Sequence, residues 1–315
     1  LNVNSDIAFS FFLILSVYCL FFRDQETSYY SVFDGGVVLG VATLIRPISM
    51  YLIVPLVLVY IFILITKSID KKIILKMAGI FIASFVLMLA PWFVRNKLVA
   101  DTWGLASVQS FNLSFYTIPE FVSFGRNVHP DVIRKELFLE LDKRGVSPGD
   151  MAEIENSSIL NSISYPYILS NPISYAEWHT VKMTPFFFSS GIKNFFYIYN
   201  SVLGYEVYKT SNENLTNYLM RGQFGKFSDV VSGQALITLE QIFWAMIFIA
   251  MFVPLLKKDK RVYVLLLLGL ILYLALPTVP VAYSRFRIPA LPYMFILASY
   301  GLLLVKDFIL VKMNR

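Results

Sequence analysis

"RVYVLLLLGLILYLALPTVPVAYSRFRIPALPYMFILASYGLLL" occupies residues 261–304. Two apolar runs flank the short polar turn "YSRFRIP" at 283–289, and each run approaches the roughly 20 residues a helix needs to cross a bilayer. The stretch reads as two membrane helices, 262–280 and 289–310, joined by a turn that carries Arg285 and Arg287. The same reading extends along the chain to apolar segments at 6–22, 30–46, 48–66, 74–93 and 234–256. About seven membrane helices result. The second contains "GGVVLGVATLI", is short and glycine-rich, and reads as a partial or tilted span set off from the third by Pro47.

Composition supports this. The chain of 315 residues is 57% hydrophobic and only 15% charged, against about 25% in soluble domains. The expected fold class is an all-α polytopic membrane protein. The net charge of +6 raises nucleic acid as a partner, but the basic residues cluster beside hydrophobic runs, where topogenic charge accounts for them. No nucleic-acid partner is expected. Cys19 is the sole cysteine, which excludes an internal disulfide and disfavours a cysteine-based metal site. The opening "LNVNSD" has no initiator Met, basic n-region or cleavage pattern, so the chain reads as a fragment of a longer protein.

Basic clusters set the expected sides. Lys67, Lys71, Lys72 and Lys76 lie between the third and fourth helices, Lys257, Lys258, Lys260 and Arg261 between the fifth and sixth, and Lys306, Lys312 and Arg315 at the C-terminal end. An alternating path puts all three on one face, the cytoplasmic one by the positive-inside rule. Three parts follow: membrane helices over 1–93, an extracytoplasmic segment over 94–233, and membrane helices with the arginine-rich turn 283–288 over 234–315. In the outer segment "VIRKELFLELDKRG" predicts a short amphipathic helix ended by Gly145. "SPGDMAEIENSSIL" predicts another, with Ser147 as N-cap and Pro148 in its first turn. "NPISYAEWHTVKMTPFFFSSGIKNFFYIY" is dense in aromatic residues and suits the membrane interface.

This topology places Arg46, Arg285 and Arg287 at the outer surface, where the positive-inside bias gives no reason for them, and Asp6 at the outer end of the first helix. With Pro289 disfavouring helix at Ile288, an extended 284–288 projects Arg285 and Arg287 to one face and Phe286 to the other. Two guanidinium forks on one side suit a phosphate or pyrophosphate; the plainer alternative is that both snorkel to lipid headgroups. His179 reads as structural, and His129 stands in a loop before Pro130. No HExxH, CxxC, GxGxxG or phosphate-loop pattern is present. Asn112, Asn156 and Asn214 begin N-x-S/T triplets, which matter only in a host that glycosylates that side.

Taken together, "GGVVLGVATLIRPISMYLIVPLVL", "LAPWFVRNKLVADTWGLASVQSFNL", "NPISYAEWHTVKMTPFF" and "SRFRIPALPYMFILASYGLLL" resemble, in order and on the expected sides, stretches of the dolichyl-phosphate-mannose-protein mannosyltransferase-like glycosyltransferases of family 39 and their bacterial relatives, including aminoarabinose transferase. The resemblance covers most of the chain and is patchy in the outer segment. It implies a GT-C-like helical bundle in a bacterial or archaeal cell membrane. The implied activity moves a sugar from a polyprenyl-phosphate donor to a glycan, lipid or protein acceptor at the outer face, with or without a divalent metal. It implies substrate-binding roles for Arg285, Arg287, Arg46 and Tyr283, with Arg285 and Arg287 on the lipid phosphate and Arg46 supporting the same cavity, and a supporting catalytic role for Asp6. Family members carry their main base, an Asp, on a loop after the first membrane helix, and nothing here matches that loop. The chain is therefore expected to lack the base and to be inactive alone. Rival readings are an O-antigen ligase or polymerase, a transporter or flippase of an anionic lipid-linked substrate, and a structural membrane subunit.

Overall fold

The structure, a computed structural model, describes residues 5–23, 28–147, 149–192, 221–225 and 235–313. Every regular element among them is helical. Five segments are long and apolar enough to cross a membrane: Pro47–Thr66, Lys71–Ala100, Leu236–Leu256, Arg261–Thr278 and Ser284–Met313. Leu58, Leu75, Leu87 and Ile249 stand exposed on them, a surface that lipid rather than water solvates. The chain is an integral membrane protein. The first two segments expected to span are shorter apolar helices, Ser5–Phe21 and Tyr29–Ile45.

The chain divides into two units, Leu1–Thr180 and Val181–Arg315. In the first, α1 (Ser5–Phe21) and α4 (Lys71–Ala100) both pack on α2 (Tyr29–Ile45), and α3 (Ile53–Thr66) packs on α4. The glycines that marked α2 in the sequence are the reason it can be sandwiched. Ser16 Oγ donates to Gly35 O at 2.8 Å on one side. On the other, a Cβ on Gly36 would lie 2.5 Å from Phe81 O and still closer to Ser84 Oγ, and one on Gly40 would meet Met88. Residues 36 and 40 thus form a small-xxx-small stripe that lets the α2 and α4 backbones meet. At 30 residues α4 is about 45 Å long, more than the ~30 Å hydrocarbon core, so it continues through Pro91 beyond the span expected at 74–93.

After α4 come α5 (Val108–Asn112), a π-helical turn (Leu113–Thr117), α6 (Ile118–Arg126), α7 (Pro130–Lys143) and α8 (Ser157–Ser170). Phe115, Ile118, Leu160 and Ile163 enclose the apolar stripe of α7, Ile133, Leu137 and Leu141, spaced four apart on one face. This helix starts with Pro130 in its first turn and ends as the sequence predicts. Gly145 takes a φ of +76°, its N–H donates to Asp142 O at 3.0 Å, and Val146 N–H donates to Leu141 O at 3.0 Å. That is a Schellman ending, and Val146 buries itself in the same core as Leu141.

One helix start was misplaced. Ser147 caps no helix: its hydroxyl donates to Asp150 Oδ2 at 2.7 Å, residues 149–152 are turns, and α8 begins ten residues later, at Ser157. The side chain satisfied a neighbouring carboxylate instead of a backbone amide, a competition Ser enters readily. Pro148 and Asn214 lie outside the described residues, as do 193–199 of the aromatic segment, position 234 at the expected start of the fifth span, and Arg315.

The unit division falls within α9 (Pro172–Phe188). The second unit holds the end of α9, then α10 (Ala235–Ala250), a 3-10 turn (Val253–Leu256), α11 (Arg261–Ala275), a 3-10 turn (Leu276–Thr278), the 3-10 turn Ser284–Ala290 and α12 (Leu291–Met313). Helix α12 packs on α10 and α11, and at Gly301 it comes so close to the end of α10 that a Cβ would overlap Ala250 O.

Candidate functional site

In the first unit the charged residues gather where α2 ends. Arg46 precedes Pro47 and adopts the extended φ of −141° and ψ of 111° that a following proline favours. The chain turns there: Arg46 N–H caps Ala42 O at 2.9 Å, and Ser49 Oγ donates to Arg46 O at 3.3 Å and pairs with Thr43 Oγ1 at 2.9 Å. The Arg46 guanidinium is thereby aimed at the start of α1. It forms an ion pair with Asp6, in the first turn of that helix, and Nε donates to Ser5 Oγ at 3.3 Å. Asp6 is fully buried and Arg46 is partly exposed. Removing one partner of such a pair leaves an uncompensated buried charge, so the pair locks α1 to the α2–Pro47 corner whatever else it does. The sequence named both residues but had no basis for pairing them.

The basic turn of the second unit differs from its expected geometry. Residues 284–290 form a 3-10 helix, not an extended strand, and at 3.0 residues per turn positions 285 and 287 point to different sides. Arg285 is exposed, whereas Arg287 is 2% exposed. Tertiary packing overrides the local preference of the residue before Pro289. The Arg287 guanidinium lies 3.7 Å over the Trp244 ring, and Nη1 and Nη2 donate to Phe187 O and Ser189 O, the latter at 2.9 Å. These are the last carbonyls of α9 and the residue just beyond it, the negative end of a helix dipole. Tyr283, which the sequence grouped with the arginines, is 57% exposed.

Trp244 connects Arg287 to a residue that the sequence reading missed. Its indole N–H donates to Glu240 Oε1 at 3.2 Å. Glu240 Oε1 also accepts from Gly191 N–H at 2.9 Å, and Oε2 accepts from Ile192 N–H at 3.1 Å and from the Ser190 hydroxyl. Glu240 is the one acid in "ALITLEQIFWAMIFIA", the helix α10. A carboxylate inside an apolar spanning segment is expensive unless it is used, and that was the signal available from the sequence. With four donors on two oxygens it is held as an acceptor, which suits it to fastening backbone and not to taking up a proton.

Other sequence motifs resolve into local fastenings. In "PWFVRN" Trp92 Nε1 donates to Leu105 O at 3.1 Å, and Asn96 Nδ2 donates to Gly104 O at 2.9 Å and Leu105 O at 3.4 Å. Arg95 stacks on Trp92 at 4.9 Å and donates to Asn96 Oδ1 at 2.9 Å. The motif ties the end of α4 to the loop that follows. His179 Nδ1 lies 3.2 Å from the Tyr175 hydroxyl, in an aromatic group with Phe121 and Trp178, and burial pushes the Tyr175 phenol up from its usual value. His129 is the N-cap of α7, receiving Asp131 N–H at 3.3 Å. Among the described residues no group of three His, Cys, Asp or Glu could hold a metal ion. No family model, no curated protein and no solved structure matches the chain.

Proposed function

We propose that this membrane protein belongs to an enzyme that transfers a sugar from a polyprenyl-phosphate donor to an acceptor hydroxyl at the outer membrane face, on a GT-C-like helical bundle. The observation that carries the reading is the basic turn at the head of the spanning segment Ser284–Met313: Arg285 is exposed there, and Arg287 is locked beneath it by Trp244 and two carbonyls. The Lys67–Lys76, Lys257–Arg261 and Lys306–Arg315 clusters favour a cytoplasmic C-terminus, which puts this turn outside, where a phosphate gives an interfacial arginine a purpose.

On this reading the acceptor oxygen attacks the anomeric carbon, the bond from that carbon to the phosphate oxygen breaks, and the electron pair leaves with the polyprenyl phosphate. Arg285 meets the growing negative charge, and the Tyr283 hydroxyl offers a further donor beside it. Arg287 is spent on the fold and positions the turn. Arg46 and Asp6 shape the corner between α1 and α3. The base that takes the acceptor proton is left unassigned; Asp6 is engaged by Arg46 and Glu240 by four donors.

The test is binding of a short-chain polyprenyl phosphate to the protein in lipid nanodiscs. Loss of one charge-assisted contact of about 1.5–3 kcal/mol should weaken Arg285→Ala by roughly tenfold or more, with Lys restoring part of the loss. Unchanged affinity in Arg285→Ala would refute the phosphate role. Movement of labelled lipid across liposomes without chemical change would identify a transporter instead.

A further inference from the structure

The two clusters of polar contacts in the second unit act on the same short stretch of chain from opposite sides. Arg287, on the basic turn, takes the carbonyls of Phe187 and Ser189. Glu240, on α10, takes the hydroxyl of Ser190 and the amides of Gly191 and Ile192. Residues 187–192 are thus held by a cation through their acceptors and by an anion through their donors. Trp244 closes the loop between the two charges, with its face to Arg287 and its N–H to Glu240, one turn away on the same helix. A Cβ on Gly191 would lie 3.4 Å from Glu240 Oε1 and 3.9 Å from Ser284 Oγ, so the first residue of the basic turn also rests against this stretch.

Both charges are costly in this setting. Arg287 is buried, and Glu240 sits in a segment otherwise fit to cross a membrane. Packing alone would be served as well by an apolar pair of the same volume. What a directional, saturated network adds is a single register between the segments it joins. We infer that Glu240 is a positioning residue: with Trp244 it fixes residues 187–192, which in turn fix Arg287 and so set where the 283–288 turn presents Arg285. The inference rests on the proposed phosphate role of Arg285 for its functional consequence, but the mechanical linkage does not.

Glu240→Gln is the informative change because its oxygens are shared evenly. Oε1 receives Gly191 and Trp244, and Oε2 receives Ser190 and Ile192. Turned one way, its NH2 group meets the Gly191 and Trp244 N–H donors; turned the other, it meets the Ile192 N–H, while the Ser190 hydroxyl can rotate to accept, so either way at least one N–H faces an NH2 group. Hydrogen exchange on the intact protein in nanodiscs, read on peptides covering 187–192 and 283–290, should speed up by about tenfold or more at both places. A peptide from α7 in the first unit serves as reference and should not change. Trp244→Phe keeps a ring for Arg287 but removes the N–H to Glu240. It should give a smaller effect of the same pattern, and it stands in if Glu240→Gln does not fold. Glu240→Asp, one methylene shorter, should recover part of the protection.

Faster exchange at 187–192 alone, with 283–290 unchanged, would overturn the linkage and leave Glu240 a local cap; no change at either place would overturn it outright. A parallel titration with short-chain polyprenyl phosphate separates the two claims. If Arg285→Ala weakens binding while Glu240→Gln does not, despite faster exchange at both peptides, the positioning role fails and the phosphate reading stands. If Arg285→Ala leaves binding unchanged, the phosphate reading fails, and the linkage is judged on exchange alone. Weaker binding in both variants, with partial recovery in Glu240→Asp, supports both.

Discussion

Replacing Gly36 by alanine tests how α2 is held, because two effects of similar size oppose each other there. Alanine favours helix over glycine by up to about 1 kcal/mol, so a glycine that touches nothing gains from the change. At Gly36 the new methyl would sit 2.5 Å from Phe81 O, where an ordinary carbon–oxygen contact is about 3.3–3.6 Å. The obstacle is backbone, so α2 and α4 must part by about 1 Å, and overpacking of this kind costs ~1–3 kcal/mol. In a bilayer the helix persists when its packing is lost, so the propensity gain shrinks and the packing loss does not. The expected net is destabilising by about 1–3 kcal/mol, a fall of roughly 2–8 °C in the midpoint of thermal unfolding. Gly79 in α4 and Gly269 in α11 are the controls, since a Cβ at either meets nothing within 4 Å. Their alanine variants should match or slightly exceed the parent. Purified protein in one detergent, heated at one scan rate and read by the monodisperse fraction that survives, ranks the four without requiring reversibility. A Gly36→Ala protein as stable as Gly79→Ala would refute the close approach of α2 and α4.

Asn96→Ala removes the side chain that serves Gly104 O and Leu105 O, and should destabilise by about 1–3 kcal/mol, read as a lower midpoint and faster exchange at 102–106. Arg287→Ala leaves the Phe187 and Ser189 carbonyls without their donor and loses the stack on Trp244; about 3–5 kcal/mol is expected, seen as lost monodispersity, with Lys recovering little because it lacks the planar fork. Lys97 holds the Asp101 carboxyl below its ordinary value, so the pair's contribution is present above the ordinary carboxylate range and is lost as pH falls through the depressed folded value. Asp101→Asn should therefore loosen the end of α4 slightly at neutral pH, to the level the parent reaches in acid, and abolish the further acid-side loosening, measured by exchange on 96–102; an unaltered acid profile would reject the pairing.

The legible part of this protein is the part that lipid dictates. A bilayer demands long apolar runs, so the helices were visible as composition, and the Gly145 ending of α7 was visible because a left-handed residue leaves its mark in the choice of side chain. The turn at 284–290 was not, since Pro289 argued for extended backbone and the opposing force came from Trp244, Phe187 and Ser189, the last two about a hundred residues away. A separation of forty residues likewise hid the partner of Asp6. Glu240 is the instructive case, because its signal was present and was passed over. Ionisable residues at the ends of the apolar runs stand out first, Asp6, Arg46 and Arg285 among them, and of these Arg285 is exposed while Asp6 is buried against Arg46. A carboxylate set inside an apolar spanning segment, as Glu240 is in Leu236–Leu256, has to be answered by donors from elsewhere in the fold, and it therefore predicts a tertiary contact. Read that way, "TLEQIFW" already implies that some stretch of backbone amides comes to α10, and the amides of Gly191 and Ile192 are what arrives.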